Sequence, residues 1–301
     1  MFSDQFAVFY LVGLYIAFAG GLWSMLVSYC GRNHDALSTL FISRFPQLLL
    51  MLITLAVGLY SVKDFIDACR NHLHLFLSGS LLGAFAVSLR MQISKDIPIG
   101  TLTTITAVCF ILTVIVYEYF FMTTFPTRIQ FIFIALIMIG TLVLVRLKNH
   151  HQSFIADLSP KVFLAAVAVG IANGISLSTL GDVGRKLDPV LTTLTYNIFI
   201  MIIMALILWG RWAVTGQKLD KYSPKALLGV LSIGVIGFTF VAGLAYGSSL
   251  GSFSVLSAIE ASAIVFAALL SWLFLGEKLS NSQWGAIIFV TLCIAGLRFT
   301  G

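Results

Sequence analysis

Residues 251–275, GSFSVLSAIEASAIVFAALLSWLFL, contain one ionisable side chain, Glu260, in a run that is otherwise apolar or small. A hydrocarbon core about 30 Å thick needs about 20 helical residues to cross it, so this stretch is long enough to span a bilayer. A charge at that depth costs roughly 2.5–3.5 kcal/mol on insertion scales. Such a residue is therefore a functional-site hypothesis from the start.

The composition of the whole chain indicates the same environment. Of 301 residues, 59% are hydrophobic and 10% are charged, and the mean hydropathy is +1.02. Soluble domains have about 25% charged residues, so this chain has too few to cover a surface in water. The net charge of +6 comes from Lys and Arg scattered over short loops, without a basic stripe or a nucleic-acid motif. We expect a multi-pass protein of the inner cell membrane, with the lipid bilayer as a partner and no nucleic acid.

Ten stretches are long and apolar enough to cross the membrane, and short polar loops separate them. They lack the alternation of barrel strands, so an all-α membrane protein is the fold that satisfies the backbone in lipid. The predicted transmembrane helices cover residues 6–29, 36–60, 73–92, 98–121, 127–147, 160–181, 188–210, 225–247, 251–275 and 281–300.

The polar segment from Arg146 to Lys161 divides the chain into two five-helix blocks, residues 1–150 and 151–301. A shift of 153 residues lays Gln130 on Gln283 and aligns helices two to five with helices seven to ten without gaps. Since five is odd, two such blocks in one chain have opposite topologies. Two inverted five-helix repeats are typical of secondary transporters, whose substrate site lies between the repeats near the midplane.

Other kinds of chemistry have no positive signal in the sequence. No Gly-x-x-x-x-Gly-Lys-Ser/Thr loop occurs, so we expect no ATP hydrolysis. Histidines occur in two polar segments, as His72 and His74 and as His150 and His151, without a cluster of carboxylates or thiols. We therefore expect no metal, no cofactor and no enzyme activity. A membrane-embedded enzyme or a non-transporting scaffold is the alternative class.

Short motifs at both ends of the chain resemble a known family. Trp23, followed about twenty residues later by Arg44-Phe45, is similar to the first two helices of EamA-type carriers of the drug/metabolite transporter superfamily. Leu275-Gly276-Glu277, followed after a short turn by Gln283-Trp284-Gly285, is similar to the ending of the same carriers. The resemblance implies a ten-helix carrier with a central cavity, and we expect it to function as a monomer.

Glu260 also resembles a residue of one subgroup, which includes S-adenosylmethionine-uptake-like members. In that subgroup a Pro-Phe-Glu-Tyr-Thr stretch lies seventeen residues before the Leu-Gly-Glu glutamate, and Glu260 has this spacing from Glu277. The flanking positions differ, since they are Ala258, Ala261 and Ser262 here. The first block departs as well, with residues 123–125, Thr-Thr-Phe, where the family often has Gly-Glu.

Two charges lie deep in their predicted helices. Glu260 is about 13 Å from its helix start and Arg44 about 12 Å, at 1.5 Å per residue. Glu260 binds a cationic group of the substrate, carries a coupling proton, or pairs with Arg44. Arg44 has a guanidinium suited to a carboxylate or phosphate, or it bonds helix-end carbonyls and Glu260. Arg90, near the end of the third helix, is interpreted as an interfacial residue.

Five further residues are candidate substrate contacts, because the resemblance places their helices around the cavity. They are Trp23, Asn173, Tyr196, Asn197 and Tyr246. Aromatic rings stack on organic cations, and Asn offers both a donor and an acceptor. The alternative for each is a role in packing or at the interface.

Buried charges of opposite sign suit a zwitterion, because each end of the substrate then meets a counter-charge. The sequence therefore predicts a secondary transporter that moves a small polar organic metabolite by alternating access, with an amino acid or derivative as the substrate. The alternative within transporters is S-adenosylmethionine or a similar cationic metabolite.

Overall fold

The structure is a computed structural model, which describes residues 2–94, 99–122, 125–148, 159–217, 219–275 and 279–297. These residues form ten helical spans and no strands, and two of the spans are each broken into two helices. The helices are α1 (Phe2–Asn33), α2 (Ala36–Ser43), α3 (Phe45–Ala56), α4 (Val62–Ile93), α5 (Ile99–Phe121), α6 (Arg128–Lys148), α7 (Pro160–Gly184), α8 (Pro189–Thr215), α9 (Pro224–Leu250), α10 (Phe253–Ala261), α11 (Ala263–Leu275) and α12 (Asn281–Leu297).

The spans have the length and surface of membrane helices. Six of them are long and apolar enough to cross a bilayer, and four shorter apolar helices cover residues 105–121, 128–144, 253–266 and 281–297. Large apolar side chains are exposed around the bundle, and Leu11, Leu228 and Leu292 are each more than 60% exposed. Lipid is the solvent that suits this surface. The predicted all-α multi-pass membrane fold is confirmed.

The second span differs from the single helix predicted over residues 36–60. It is broken at Arg44 and ends at Ala56. Pro46 lies in the first turn of α3, where its ring and missing N–H prevent a continuous helix through Arg44. Gly58 then has a left-handed φ of 72°, a conformation that glycine adopts without strain. The hydropathy pattern did not reveal either of these backbone effects.

The ninth span is also broken, although the sequence predicts one helix over residues 251–275. The break lies at Ser262, whose hydroxyl donates to the Ile259 carbonyl at 2.5 Å. The N–H of Ser262 donates to the same carbonyl at 3.1 Å. A serine that bonds back to the preceding turn bends a helix. Glu260 therefore lies at the C-terminal end of the short helix α10.

The third span begins about eleven residues earlier than predicted. Ser61 and Asp64 form a capping box at its start, and the chain then kinks at His72, where φ is −132° and ψ is 21°. The capping box is a sequence signal for a helix start. The polar residues between these two points concealed the first turns of α4 from a search for apolar runs.

Helix starts recur at the offset found in the sequence. Helices α2 and α8 begin 153 residues apart, and so do α6 and α12. Asp35 and Asp188 cap α2 and α8, and each carboxylate accepts the N–H three residues later. At the starts of α6 and α12 a hydroxyl residue and a glutamine bond each other's N–H groups; the pairs are Thr127–Gln130 and Ser280–Gln283.

The spans pack most closely where the sequence places small residues. Helix α4 lies along α7 and α1 lies along α9. A Cβ atom at Gly83 on α4 would collide with the Tyr196 hydroxyl, and one at Gly234 on α9 would collide with the Ser43 carbonyl. Close approach of these backbones therefore requires glycine at both positions.

Polar contacts join the helices at both ends of the bundle. We call these ends the Asp188 end and the Asp35 end. The Asp188 end contains Tyr60, Glu118, Arg185, Asp188 and Ser252. The Asp35 end contains Asp35, Arg211, Asp220 and Tyr222.

Candidate functional site

A cavity inside the bundle is lined by α1, α4, α5, α7 and the broken span α10–α11. Among the described lining residues the ionisable side chains are Glu260 and Arg90. The polar and aromatic side chains around them are Trp23, Ser24, Thr103, Thr106, Phe110 and Asn173. The structure thus brings together three of the predicted site residues, namely Glu260, Trp23 and Asn173.

The Glu260 carboxylate contributes a charge to this cavity that the protein does not neutralise by contact. Within the described residues no hydrogen-bond donor lies within reach of its oxygens, and no cation lies within 4 Å. Gly20 on α1 leaves space beside it, since a Cβ there would be 3.5 Å from Glu260 Oε1. The charge with which Glu260 interacts is that of Arg90, across the cavity. An open carboxylate of this kind is available to a ligand or a proton.

Arg90 is a residue that sequence reasoning assigned to the interface and that the structure places in the cavity. Its Nη2 donates to Thr103 Oγ1 at 3.0 Å and to Ser24 Oγ at 3.5 Å, while Nε is buried without a described partner. A signal was available in the sequence. Gly79, Gly83 and Arg90 follow one face of α4 at spacings of four and seven residues, and the glycines mark the face that packs inward.

Arg44 and Asn197 lie away from the cavity and bond each other. Arg44 Nη1 donates to Asn197 Oδ1 at 2.6 Å and to Gln47 Oε1 at 3.4 Å. Asn197 Nδ2 donates to the Thr193 carbonyl at 2.8 Å. The structure therefore does not pair Arg44 with Glu260. The contact joins the broken span α2–α3 to α8, between two residues that are 153 apart in the chain.

The two predicted tyrosines do not line the cavity either. Tyr196 is buried, its hydroxyl bonds that of Ser176 on α7, and its carbonyl accepts the hydroxyl of Ser80 on α4. It therefore holds three helices together. Tyr246 on α9 is 43% exposed on the outside of the bundle. Several residues singled out in the sequence lie outside the described part of the chain; they are Thr123, Thr124, His150, His151, Gly276 and Glu277.

Glu118 is a second buried carboxylate, which sequence reasoning did not single out because it lies within one turn of the end of α5. Its oxygens accept the N–H groups of Phe253 and Ser254 at 2.9 Å each. They also accept the hydroxyls of Ser252 and Ser254. The carboxylate therefore caps the N-terminus of α10, where the helix dipole favours a negative charge.

Arg185, at the end of α7, extends this cluster to two more helices. Its Nη2 lies 3.4 Å from Glu118 Oε1, and Nη2 and Nε donate to the carbonyls of Gly251 and Ser248 at 3.0 and 2.8 Å. The Ser248 hydroxyl donates to the Gly181 carbonyl at 3.0 Å. The ends of α5, α7, α9 and α10 are thus joined at the Asp188 end.

At the opposite end Arg211 makes a two-pronged contact with Asp35, with both N···O distances at 2.9 Å. Partial burial raises the pKa of Asp35, but the hydrogen bonds from Arg211 and Ser38 outweigh it and hold that pKa below its usual value. Asp220 accepts the N–H of Asp35 at 2.6 Å. This network joins the start of α2 to the end of α8.

Metal binding has no support in the described part of the chain. No three His, Cys, Asp or Glu side chains there come close enough together to hold an ion.

The fold defines a class, that of multi-pass helical membrane proteins. Residues 161–299 match the model of the EamA-like transporter family. This match lies in the second block of the chain, and it supports an EamA-type member of the drug/metabolite transporter superfamily, as the motifs predict.

A similar solved structure, described only as a protein crystal structure, supports the architecture. It covers 96% of this chain and 94% of its own, with a TM-score of 0.72 and 16% identity. At that identity the likeness concerns the fold alone. No curated protein matches the sequence.

Proposed function

We propose that the protein is a secondary carrier of a small polar organic metabolite, an amino acid or a derivative, and that it works by alternating access. One observation carries the proposal, namely that Glu260 presents a carboxylate to a central cavity without a described hydrogen-bond donor. A charge held away from bulk water without a partner is costly. The cost falls when a cationic ligand or a proton reaches the carboxylate.

Arg90 supports a zwitterionic substrate. It provides the positive charge of the same cavity. Among the described residues no ion pair within 4 Å joins it to Glu260, so the protein leaves both side chains for a ligand to contact. Trp23 stacks on Phe240 with ring planes 10° apart and forms an aromatic wall. Asn173 adds a donor and an acceptor. In the alternative, a cationic metabolite such as S-adenosylmethionine uses Glu260, and Arg90 stays bonded to hydroxyls.

We further propose that residues 1–150 and 151–301 are inverted repeats. The recurrence of helix starts and caps at an offset of 153 supports this relation. The packing supports it as well, because exchange of the blocks turns the pair α1–α9 into the pair α7–α4, and both pairs are in contact. The contact between Arg44 and Asn197 joins equivalent positions, as expected of residues near a pseudo-two-fold axis.

The spans α2–α3 and α8 then form a unit fastened at three levels. Asp35 bonds Arg211 at one end, Arg44 bonds Asn197 in the middle, and Tyr60 bonds Asp188 at the other end. Contacts at both membrane faces oppose relative motion of these two spans. We therefore propose that Arg44 supports the scaffold, and that the remaining spans move around the cavity of a single, monomeric chain in the inner cell membrane.

Flux into proteoliposomes tests the function. The panel contains amino acids, the matching amines without a carboxylate, the matching acids without an amine, and S-adenosylmethionine. Saturable uptake of amino acids that neither the amines nor the acids inhibit supports the zwitterion. Uptake of S-adenosylmethionine and the amines would favour the cationic alternative. Chemical conversion of a substrate, or no flux of any compound, would contradict the proposal.

A further inference from the structure

We propose that Glu118 closes the Asp188 end of the cavity by holding the N-terminus of α10, and that this contact must open in each transport cycle. The inference rests on the proposed alternating-access function. It makes Glu118 a positioning residue, because it acts on the substrate site through α10 and does not line the cavity.

The position of α10 connects the two carboxylates. The helix has nine residues and is about 13 Å long. Its first N–H groups bond Glu118, and its last turn carries Glu260. A break at Ser262 separates it from α11, so α10 can tilt without displacing the second half of the span. A movement at the Glu118 end therefore changes the position of Glu260.

The cavity lies toward the Asp35 end and is closed toward the Asp188 end. Arg90 and Thr103 line it near the Asp35-end termini of α4 and α5. Between Glu260 and the Asp188 end, the buried apolar side chains of α10 fill the space; they are Phe253, Val255, Leu256 and Ile259. The Phe253 ring of this layer lies against Gly181 on α7. Phe253 is fully buried. A route from the cavity to the Asp188 end requires this layer to separate.

Glu118 holds that layer in place. Its carboxylate bonds Ser252, Phe253 and Ser254 from α5, and Arg185 adds α7 and α9 to the same cluster. The position 153 residues after Glu118 in the chain is Ser271, a neutral residue. If the two blocks are inverted repeats, the acidic contact therefore belongs to one end of the carrier. Its release is the step that exposes the cavity on that side.

Labelling with a membrane-impermeant maleimide tests the inference without a known substrate. Cys30, Cys69, Cys109 and Cys293 are first replaced by alanine. Ser257→Cys then reports on the buried part of α10 between Phe253 and Glu260, and Ser24→Cys reports on the cavity wall toward the Asp35 end. Ser257 is fully buried, so labelling at this position from the Asp188 end measures opening of that end.

Glu118→Gln is expected to raise labelling of the Ser257→Cys reporter from the Asp188 end about ten-fold, because the charged contacts that hold the N-terminus of α10 are weakened and a tenfold change requires only a small loss of contact energy. Labelling of the Ser24→Cys reporter from the other end should fall. Glu118→Asp, which keeps the charge, should restore much of the wild-type pattern. Asp182→Asn is the matched control, since it removes a carboxylate at the same end that pairs with Lys186 and not with α10. Maximal flux should change in Glu118→Gln while half-saturation changes little.

Unchanged labelling in a folded Glu118→Gln protein would overturn the inference. A rise at both reporters together would also overturn it, because it would indicate a general loosening of the bundle. If that variant does not fold, the pair Gly181→Cys with Phe253→Cys decides, because it leaves Glu118 in place and a Cβ atom at Gly181 would lie 3.4 Å from Phe253 Cγ. A reversible cross-link between these positions should stop flux, and reduction should restore it. Continued flux through the cross-linked protein would show that the Asp188 end does not have to open in the transport cycle. A protein that transports normally but fails these tests retains the proposed function, whereas absence of any flux in the wild type contradicts that function itself.

Discussion

Glu118 and Glu260 are both carboxylates inside the bundle, and they differ in what surrounds them. Glu118 accepts hydrogen bonds from two backbone N–H groups and two serine hydroxyls and lies beside Arg185. Glu260 faces a cavity and has no described donor. The two lie at opposite ends of α10, because one caps its N-terminus and the other lies in its last turn. The helix dipole stabilises the first charge and destabilises the second.

The comparison shows that burial of a charge does not by itself indicate its role. A carboxylate whose lone pairs are used by the protein stabilises a particular arrangement of helices. A carboxylate left open at the unfavourable end of a helix depends on something that binds there. Substitutions at the two glutamates and at the other polar contacts test this distinction.

Glu118→Ala should cause the largest loss of stability. It leaves Arg185 without its carboxylate and two N–H groups of α10 without an acceptor. Removing one partner of a buried charged cluster costs about 3–5 kcal/mol. The melting temperature in detergent should fall accordingly, while Asp182→Asn, which removes the carboxylate paired with Lys186 at the same end, should leave it within error. Equal melting of Glu118→Ala and wild type would remove the distinction between the two glutamates.

Glu260→Gln should have the opposite profile, with transport lost and the fold retained. A hydrogen bond to a charged group contributes roughly 1.5–3 kcal/mol, which corresponds to about 10- to 100-fold in binding. No described donor loses its acceptor, so the melting temperature should stay close to that of the wild type. Uptake and melting are measured on the same preparation. Full uptake at every pH tested would show that the open carboxylate is not used.

Arg44→Gln should reduce stability by roughly 1.5–3 kcal/mol, because it removes a charged hydrogen bond to the buried Asn197. Transport per folded molecule should be retained, in contrast with Arg90→Gln, which should lose uptake of amino acids. Adding Glu260→Gln to Arg44→Gln should not restore the yield. Restored yield in the double variant would instead support an ion pair between Arg44 and Glu260, which the structure does not contain.

The sequence was sufficient to predict the ten spans and the inward position of Glu260, because hydropathy and a lone charge are local properties. It did not predict the helix breaks, which depend on Pro46 and on the back-bonding of Ser262. Arg44 illustrates a deeper limit. Its depth indicated a site, but its partner, Asn197, is identified only when two helices distant in sequence are brought together.

Arg90 and Glu118 were missed for a related reason. Both lie near helix ends, where a charged side chain usually reaches the interface. The depth of a residue along its helix therefore misleads when the neighbouring helices supply hydroxyls, as Thr103 does for Arg90. The face of the helix, which the spacing of small residues reveals, is the better guide.

The smallest effect is expected at the Asp35 end, where a partly exposed ion pair joins α2 to α8. The pKa of Asp35 is lower in the folded protein than in the unfolded chain, where it is about 3.9. The contact with Arg211 therefore stabilises the fold above about pH 4 and is lost as the pH falls through the folded pKa. Asp35→Asn should cost about 1 kcal/mol at neutral pH and almost nothing in acid. The melting temperatures of wild type and Asp35→Asn should therefore converge as the pH is lowered from 7 to 3. A difference in melting temperature that stays the same at every pH would show that the carboxylate charge of Asp35 contributes nothing to this junction.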